Sequence, residues 1–127
     1  MPELHLYEYA VLRIVPRVER EEFLNVGVVL YCSKGRFLKV KYLLDANKLM
    51  AFAPQLDLAE IASYLNAFDQ ICQAKRDSGT IGKLPVAERF RWLTATRSTV
   101  VQSSKVHPGL CVDPNVMLER IYSQMVL

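Results

Sequence analysis

An α+β fold, a mainly antiparallel sheet of about four strands covered by helices, is what the sequence predicts. Three observations carry this reading. Period-two alternation runs to about residue 43, spacings of three and four take over from 45 to 76, and a late threonine- and valine-rich run precedes a closing helical stripe. A chain of 127 residues suits one domain, residues 1–127. At 51% hydrophobic and 23% charged it lacks the composition that keeps chains disordered, so its whole length is expected to fold.

From about His5 to Val15 the residues alternate, with Tyr7, Tyr9, Val11, Arg13 and Val15 on one face and Leu6, Glu8, Ala10, Leu12 and Ile14 on the other. Pro16 has no N–H for a ladder and ends this strand, and a charged connection runs to Glu22. Asn25 to Cys32 is apolar on both faces and valine-rich, the pattern of an interior strand. After a Ser33-Lys34-Gly35-Arg36 turn, Phe37 to Leu43 directs Leu38, Val40 and Tyr42 inward and Lys39 and Lys41 outward, as on a half-exposed edge. Asp45 caps a short helix through Phe52, and Asp57-x-x-Glu60 resembles a capping box for a helix to about Arg76, with Leu58, Ile61, Ala62, Leu65, Phe68, Ile71 and Cys72 as its buried stripe. Pro85 starts a short helix carrying Phe90 and a buried Trp92. Thr99 to Gln102 is the fourth strand, and His107-Pro108-Gly109 reads as a turn. Asp113-Pro114 then opens a final helix with Met117, Leu118, Ile121, Tyr122 and Met125 on its buried face.

Several function classes are disfavoured. A net charge of +3 argues against a dedicated DNA binder, although the stretch from Lys75 to Leu110 is basic. The amino terminus does not read as a signal peptide, and no apolar stretch is long enough for a bilayer. Cys32, Cys72 and Cys111 are scattered, which suits buried thiols in a cytoplasmic protein. No metal-ligand spacing is present and no cofactor is expected. Gly79-x-x-Gly82-Lys83 lacks the full spacing of a phosphate loop and follows a helix.

The candidate polar or anion site is Arg13, Glu22, Asn25, Arg97 and Ser98. Arginine is always protonated, so it is a poor proton carrier and a good anion clamp. Glu22 would be the bidentate partner of Arg13, Asn25 would cap a turn, and Gly27 would let another backbone approach. An ion pair that anchors the loop explains these residues without a ligand. The sharper reading gathers Arg13 with Arg91, Arg97 and Ser98 around a phosphate.

Tyr7-x-Tyr9-x-Val11-x-Arg13-x-x-Pro16, then Glu22-Phe23-Leu24-Asn25-Val26-Gly27-Val28, and later Arg89-Phe90-x-Trp92-Leu93 with Arg97-Ser98 and His107-Pro108-Gly109, together resemble the bacterial domain-of-unknown-function family DUF3037. The resemblance spans most of the chain and implies no chemistry. It does imply a neighbour, since genes of that family often lie beside those of HipA-like serine/threonine kinases.

Two functions follow. The first is a non-catalytic protein-interaction or regulatory subunit, with a HipA-like kinase as the implied partner, docking through a sheet edge or the Glu19–Glu22 loop; a homo-oligomer is also compatible. The alternative is a small phosphoester-processing or nucleic-acid-acting enzyme, in which Arg13, Glu22, Asn25 and Arg97 converge and Glu22 activates water. A nucleic-acid-binding module using the basic stretch, with Phe90 and Trp92 for stacking, lies between them.

Overall fold

The computed structural model describes residues 2–127. Its centre is β1 (His5–Ile14), which pairs antiparallel with β2 (Leu24–Cys32) on one side. β3 (Phe37–Tyr42) lies antiparallel outside β2. On the other side of β1 two short strands follow one another along the same edge: β4 (Val101–Ser103) pairs with Leu12–Ile14, and β5 (His107–Cys111) pairs with His5–Tyr9. The sheet therefore has five strands, and the last is built from the expected turn, His107-Pro108-Gly109. Proline is admissible there because β5 is an edge strand, where a missing N–H forfeits no ladder bond on the open side. Gly109 makes room for its partner, since a Cβ on it would lie 2.3 to 2.7 Å from the hydroxyl and ring atoms of Tyr7. Between β4 and β5, Ser104 keeps the ladder closed: its N–H donates to Val11 O and its Oγ accepts from Val11 N, each at 2.8 Å.

Four helices cover the sheet: α1 (Ala46–Phe52), α2 (Leu58–Cys72), α3 (Val86–Leu93) and α4 (Pro114–Met125). Three aspartates start three of them. Asp45 accepts from Lys48 N, Asp57 from Glu60 N, and Asp113 from Asn115 N and Val116 N, each satisfying amides that the helix leaves unpaired. α2 stops at Cys72, short of Arg76. Ala74 turns left-handed at φ 53°, Lys75 N donates back to Gln70 O and Ala74 N to Ile71 O, which is a Schellman termination.

α1, α2 and α3 share one core with the sheet face that carries Ala10, Leu12 and Ile14, where Leu49, Leu65, Phe68, Phe90 and Leu93 close over β1 to β3. α4 lies on the opposite face, where Leu118, Ile121 and Tyr122 pack on Val28, Leu30 and Cys32. Lys39 and Lys41 consequently lie on the side of the sheet that α4 covers, where they reach its polar residues while staying solvent-accessible. Lys39 Nζ donates to Asn115 Oδ1 at 3.2 Å, and Lys41 forms an ion pair with Glu119.

Trp92 is 41% exposed, against the expectation of a core residue, while its neighbour Phe90 is buried against Tyr31. The helix turns only one of the two rings toward the sheet.

Candidate functional site

A register shift in the central pair sets the local geometry. Leu12 faces Gly27 but Arg13 faces Asn25, so Val26 is an extra residue on β2 and a β-bulge forms. The bulge turns Val26 into the core under α1–α3 and moves Asn25 to the other face. Strict alternation from Val29 would have put Asn25 on the helix-rich side. Instead Gln102 on β4, Arg13 on β1 and Asn25 on β2 stand in one row across three strands. Gly27 permits the neighbouring contact with β3, because a Cβ there would lie 2.8 Å from Lys41 O and 2.8 Å from Tyr42 Cβ. This is the close backbone approach expected of that glycine.

The guanidinium of Arg13 lies over the Phe23 ring, 4.0 Å from its centroid. Its Nε is buried without a hydrogen-bond partner, and burial lowers its pKa. Glu22 is not its partner. The Val18–Arg20 turn and the left-handed Glu21 direct Glu22 to Arg20, with Arg20 Nε donating to Glu22 Oε1, both side chains more than half exposed. Asn25 caps no turn. Its Nδ2 donates to Met125 O at 3.2 Å at the end of α4, and its Oδ1 is buried with no donor.

Arg97 belongs to a different place. Its guanidinium lies 4.4 Å from the Trp92 centroid and donates to the carbonyls of Trp92 and Leu93 at the end of α3. That helix packs on the face of Leu12, whereas Arg13 points to the face of Tyr9 and Val11. The fold thus keeps Arg13 and Arg97 on opposite sides of the sheet. Ser98 is exposed in the loop beyond Arg97, and Arg91 is exposed on α3. The five-residue cluster divides: Arg13 and Asn25 are neighbours, while Glu22, Arg97 and Ser98 lie elsewhere. A phosphoester site that needs them together is not assembled.

Arg89, next to Phe90, has a task like that of Arg97. Its Nη1 donates to Ile71 O and Cys72 O, both at 2.8 Å, and its Nε to Leu84 O at 3.0 Å. It closes the carbonyl end of α2 and ties it to the start of α3.

His107 stands opposite Tyr9 with ring centroids 5.4 Å apart, and Tyr9 continues to Tyr7 at 6.2 Å. Among the described residues no group of three or more His, Cys, Asp or Glu is placed to hold a metal ion.

A feature missed from the sequence lies at the far end of β1. Leu4, Leu6, Leu110, Val112 and Val116 are each between 54% and 58% exposed. Leu6 and Leu110 are direct cross-strand partners, and Leu4, Leu110, Val112 and Val116 line one shallow hollow with Arg120 at its side. The patch is contiguous. Period-two alternation places Leu6 on the same face as Ala10 and Leu12, yet the helices of that face do not cover it.

These features define a class: an α+β domain whose five-stranded antiparallel sheet is covered by three helices on one face and one on the other. The chain belongs to the family described as Protein of unknown function (DUF3037), whose model matches residues 9–126. No curated protein and no solved structure matches it. No helix among the described residues is long and apolar enough to cross a membrane.

Proposed function

We propose that this protein is a non-catalytic interaction module that docks a protein partner through the apolar end of its sheet. The observation that carries the reading is the contiguous exposure of Leu4, Leu6, Leu110, Val112 and Val116. Large exposed apolar patches with polar rims mark association surfaces on soluble domains, and burying leucine and valine side chains there would supply the driving force. Arg120 and Asp113 provide a polar margin that would set orientation. The partner is a HipA-like serine/threonine kinase, which the family resemblance suggests, and the setting is cytoplasmic, in keeping with three free buried thiols.

Recovery of the tagged protein from its host at native expression, followed by intact-complex mass spectrometry, tests the reading. The expected result is a stoichiometric kinase partner that is lost from a Leu6→Lys/Leu110→Lys variant whose circular dichroism is unchanged. A variant that keeps the same partner removes the patch as the contact. A wild-type protein recovered alone overturns the interaction role, and a homodimer redirects the patch to a second copy of this chain.

A further inference from the structure

The Arg13 corner lies on the opposite sheet face from Leu6 and close to the other end of β1, and it carries its own chemistry. Two buried polar atoms without partners, Arg13 Nε and Asn25 Oδ1, belong to directly opposed residues on β1 and β2. Buried polar groups are nearly always satisfied, so two in one cross-strand pair call for a reason. Hydrophobic packing is not that reason, because an aliphatic side chain at position 13 would fill the space over Phe23 without a charge to desolvate.

The surroundings of Arg13 supply no counter-charge. Glu22, the acid expected to pair with it, is held by Arg20, and Glu19 by Arg17. Glu8, on the same strand, projects from the other face by alternation. Arg89 and Arg97 each have backbone carbonyls for their guanidinium groups, whereas Arg13 has a ring on one side and no hydrogen-bond acceptor among the described residues. Phe23 covers one side of the guanidinium at 4.0 Å, which limits the orientations its planar fork can take before anything binds. On that same face the row is extended by Gln102, whose Nε2 is engaged by Thr99 O, which leaves its Oε1 to orient a ligand proton.

We propose that Arg13, backed by Phe23 and flanked by Asn25, is a preorganised receptor for an oxyanion, either a phosphomonoester or a carboxylate. Two parallel N–H···O bonds from the terminal nitrogens would hold two oxygens of the anion, and its charge would offset the desolvation of a guanidinium whose Nε stays buried. Phosphate adds a contact that acetate does not: as a monoanion it carries an O–H that can donate to Gln102 Oε1. No proton transfer or bond cleavage is involved, since Arg13 keeps its charge and Glu22 is turned away.

The test is a titration of the isotopically labelled full chain with inorganic phosphate and, separately, with sodium acetate, read at the arginine Nε–Hε resonances. Ionic strength is held constant with chloride. Saturable movement of the Arg13 resonance, with Arg17 and Arg36 unmoved, is the expected result, and Arg13→Lys should weaken the affinity about tenfold as the bidentate geometry is lost. A second variant, Phe23→Leu, keeps the charge and should weaken binding severalfold by releasing the guanidinium plane. Tighter binding of phosphate assigns a phosphoryl ligand, and tighter binding of acetate assigns a carboxylate. Movement that is linear in both anions, or equal at every exposed arginine, shows screening only and overturns the receptor. The titration does not involve Leu6 or Leu110, so its failure would leave the apolar docking surface standing, and the reverse also holds.

Discussion

The two faces of the sheet spend their arginines differently. Under α1–α3, Arg89 and Arg97 donate to the carbonyls that end α2 and α3, so each charge meets a helix terminus of complementary sign. On the face that α4 only partly covers, Arg13 has an aromatic ring and an orphan nitrogen. The residue type is the same in both places and the satisfaction of its hydrogen bonds is not. A guanidinium that completes a helix end is part of the fold's stability. One that is left unfinished costs stability and is open to a ligand.

The largest effects should come from the cores that define the faces. Leu65 and Leu118 are both fully buried, one on the inner side of α2 and one on that of α4. Leu65→Ala and Leu118→Ala should each cost about 2–5 kcal/mol in chemical denaturation. A loss below about 1 kcal/mol for Leu118→Ala would mean that α4 is not packed as a core element. The closed face also predicts an alkaline limit. Burial, then Asp69, pushes the Cys72 thiol up, so it stays protonated in the fold while the unfolded thiol ionises above about pH 8.5. Stability is therefore full below that pH and falls as pH rises, and Cys72 should resist alkylation at pH 8 until the chain unfolds. Prompt labelling of Cys72 in the folded protein would contradict its place in the core.

Arg89→Met should cost about 2 kcal/mol, because it leaves the Ile71 and Cys72 carbonyls without their charged donor. Arg89→Lys should recover part of the loss, since an ammonium can reach one carbonyl but not bridge as the planar fork does. Identical stabilities for Arg89→Met and the wild type would remove the distinction between a finished and an unfinished arginine.

The same distinction explains what was legible in the sequence. Helix starts were, because Asp45, Asp57 and Asp113 act on amides two or three residues away. The buried stripe of α2 was too, apart from Ala62, which is exposed. Local chemistry failed where the partner is distant. His107-Pro108-Gly109 carries turn residues, and only pairing with β1 makes it a strand. Asn25 could not be placed beside Arg13 by counting, because the bulge at Val26 reverses its face. Arg97 follows α3 closely enough to reach its last carbonyls, a use that competes with any distant anion and that spacing alone does not reveal. Ala74 is a local case that was overlooked. At φ 53° it occupies the left-handed position that glycine fills best, and Ala74→Gly should raise stability by about 0.5–1 kcal/mol. A fall on that substitution would show that the Ala74 methyl contributes packing.

The smallest expected effect is the most informative about the comparison. Arg13→Met keeps a long apolar stem over Phe23, removes the unsatisfied Nε, and relieves the desolvation that lowers the pKa of Arg13. Against those gains it loses one cation–π contact, about 0.5–1 kcal/mol at a partly exposed site. The two contributions nearly offset, so stability should change by less than about 0.5 kcal/mol in either direction. Placed beside the loss at Arg89→Met, this near-neutrality would mark Arg13 as a residue the fold does not need. A cost of about 2 kcal/mol would instead mean that the guanidinium has acceptors of its own and that the corner is structural. Stability and phosphate affinity together separate the cases, because a structural anchor loses the first and a receptor loses only the second.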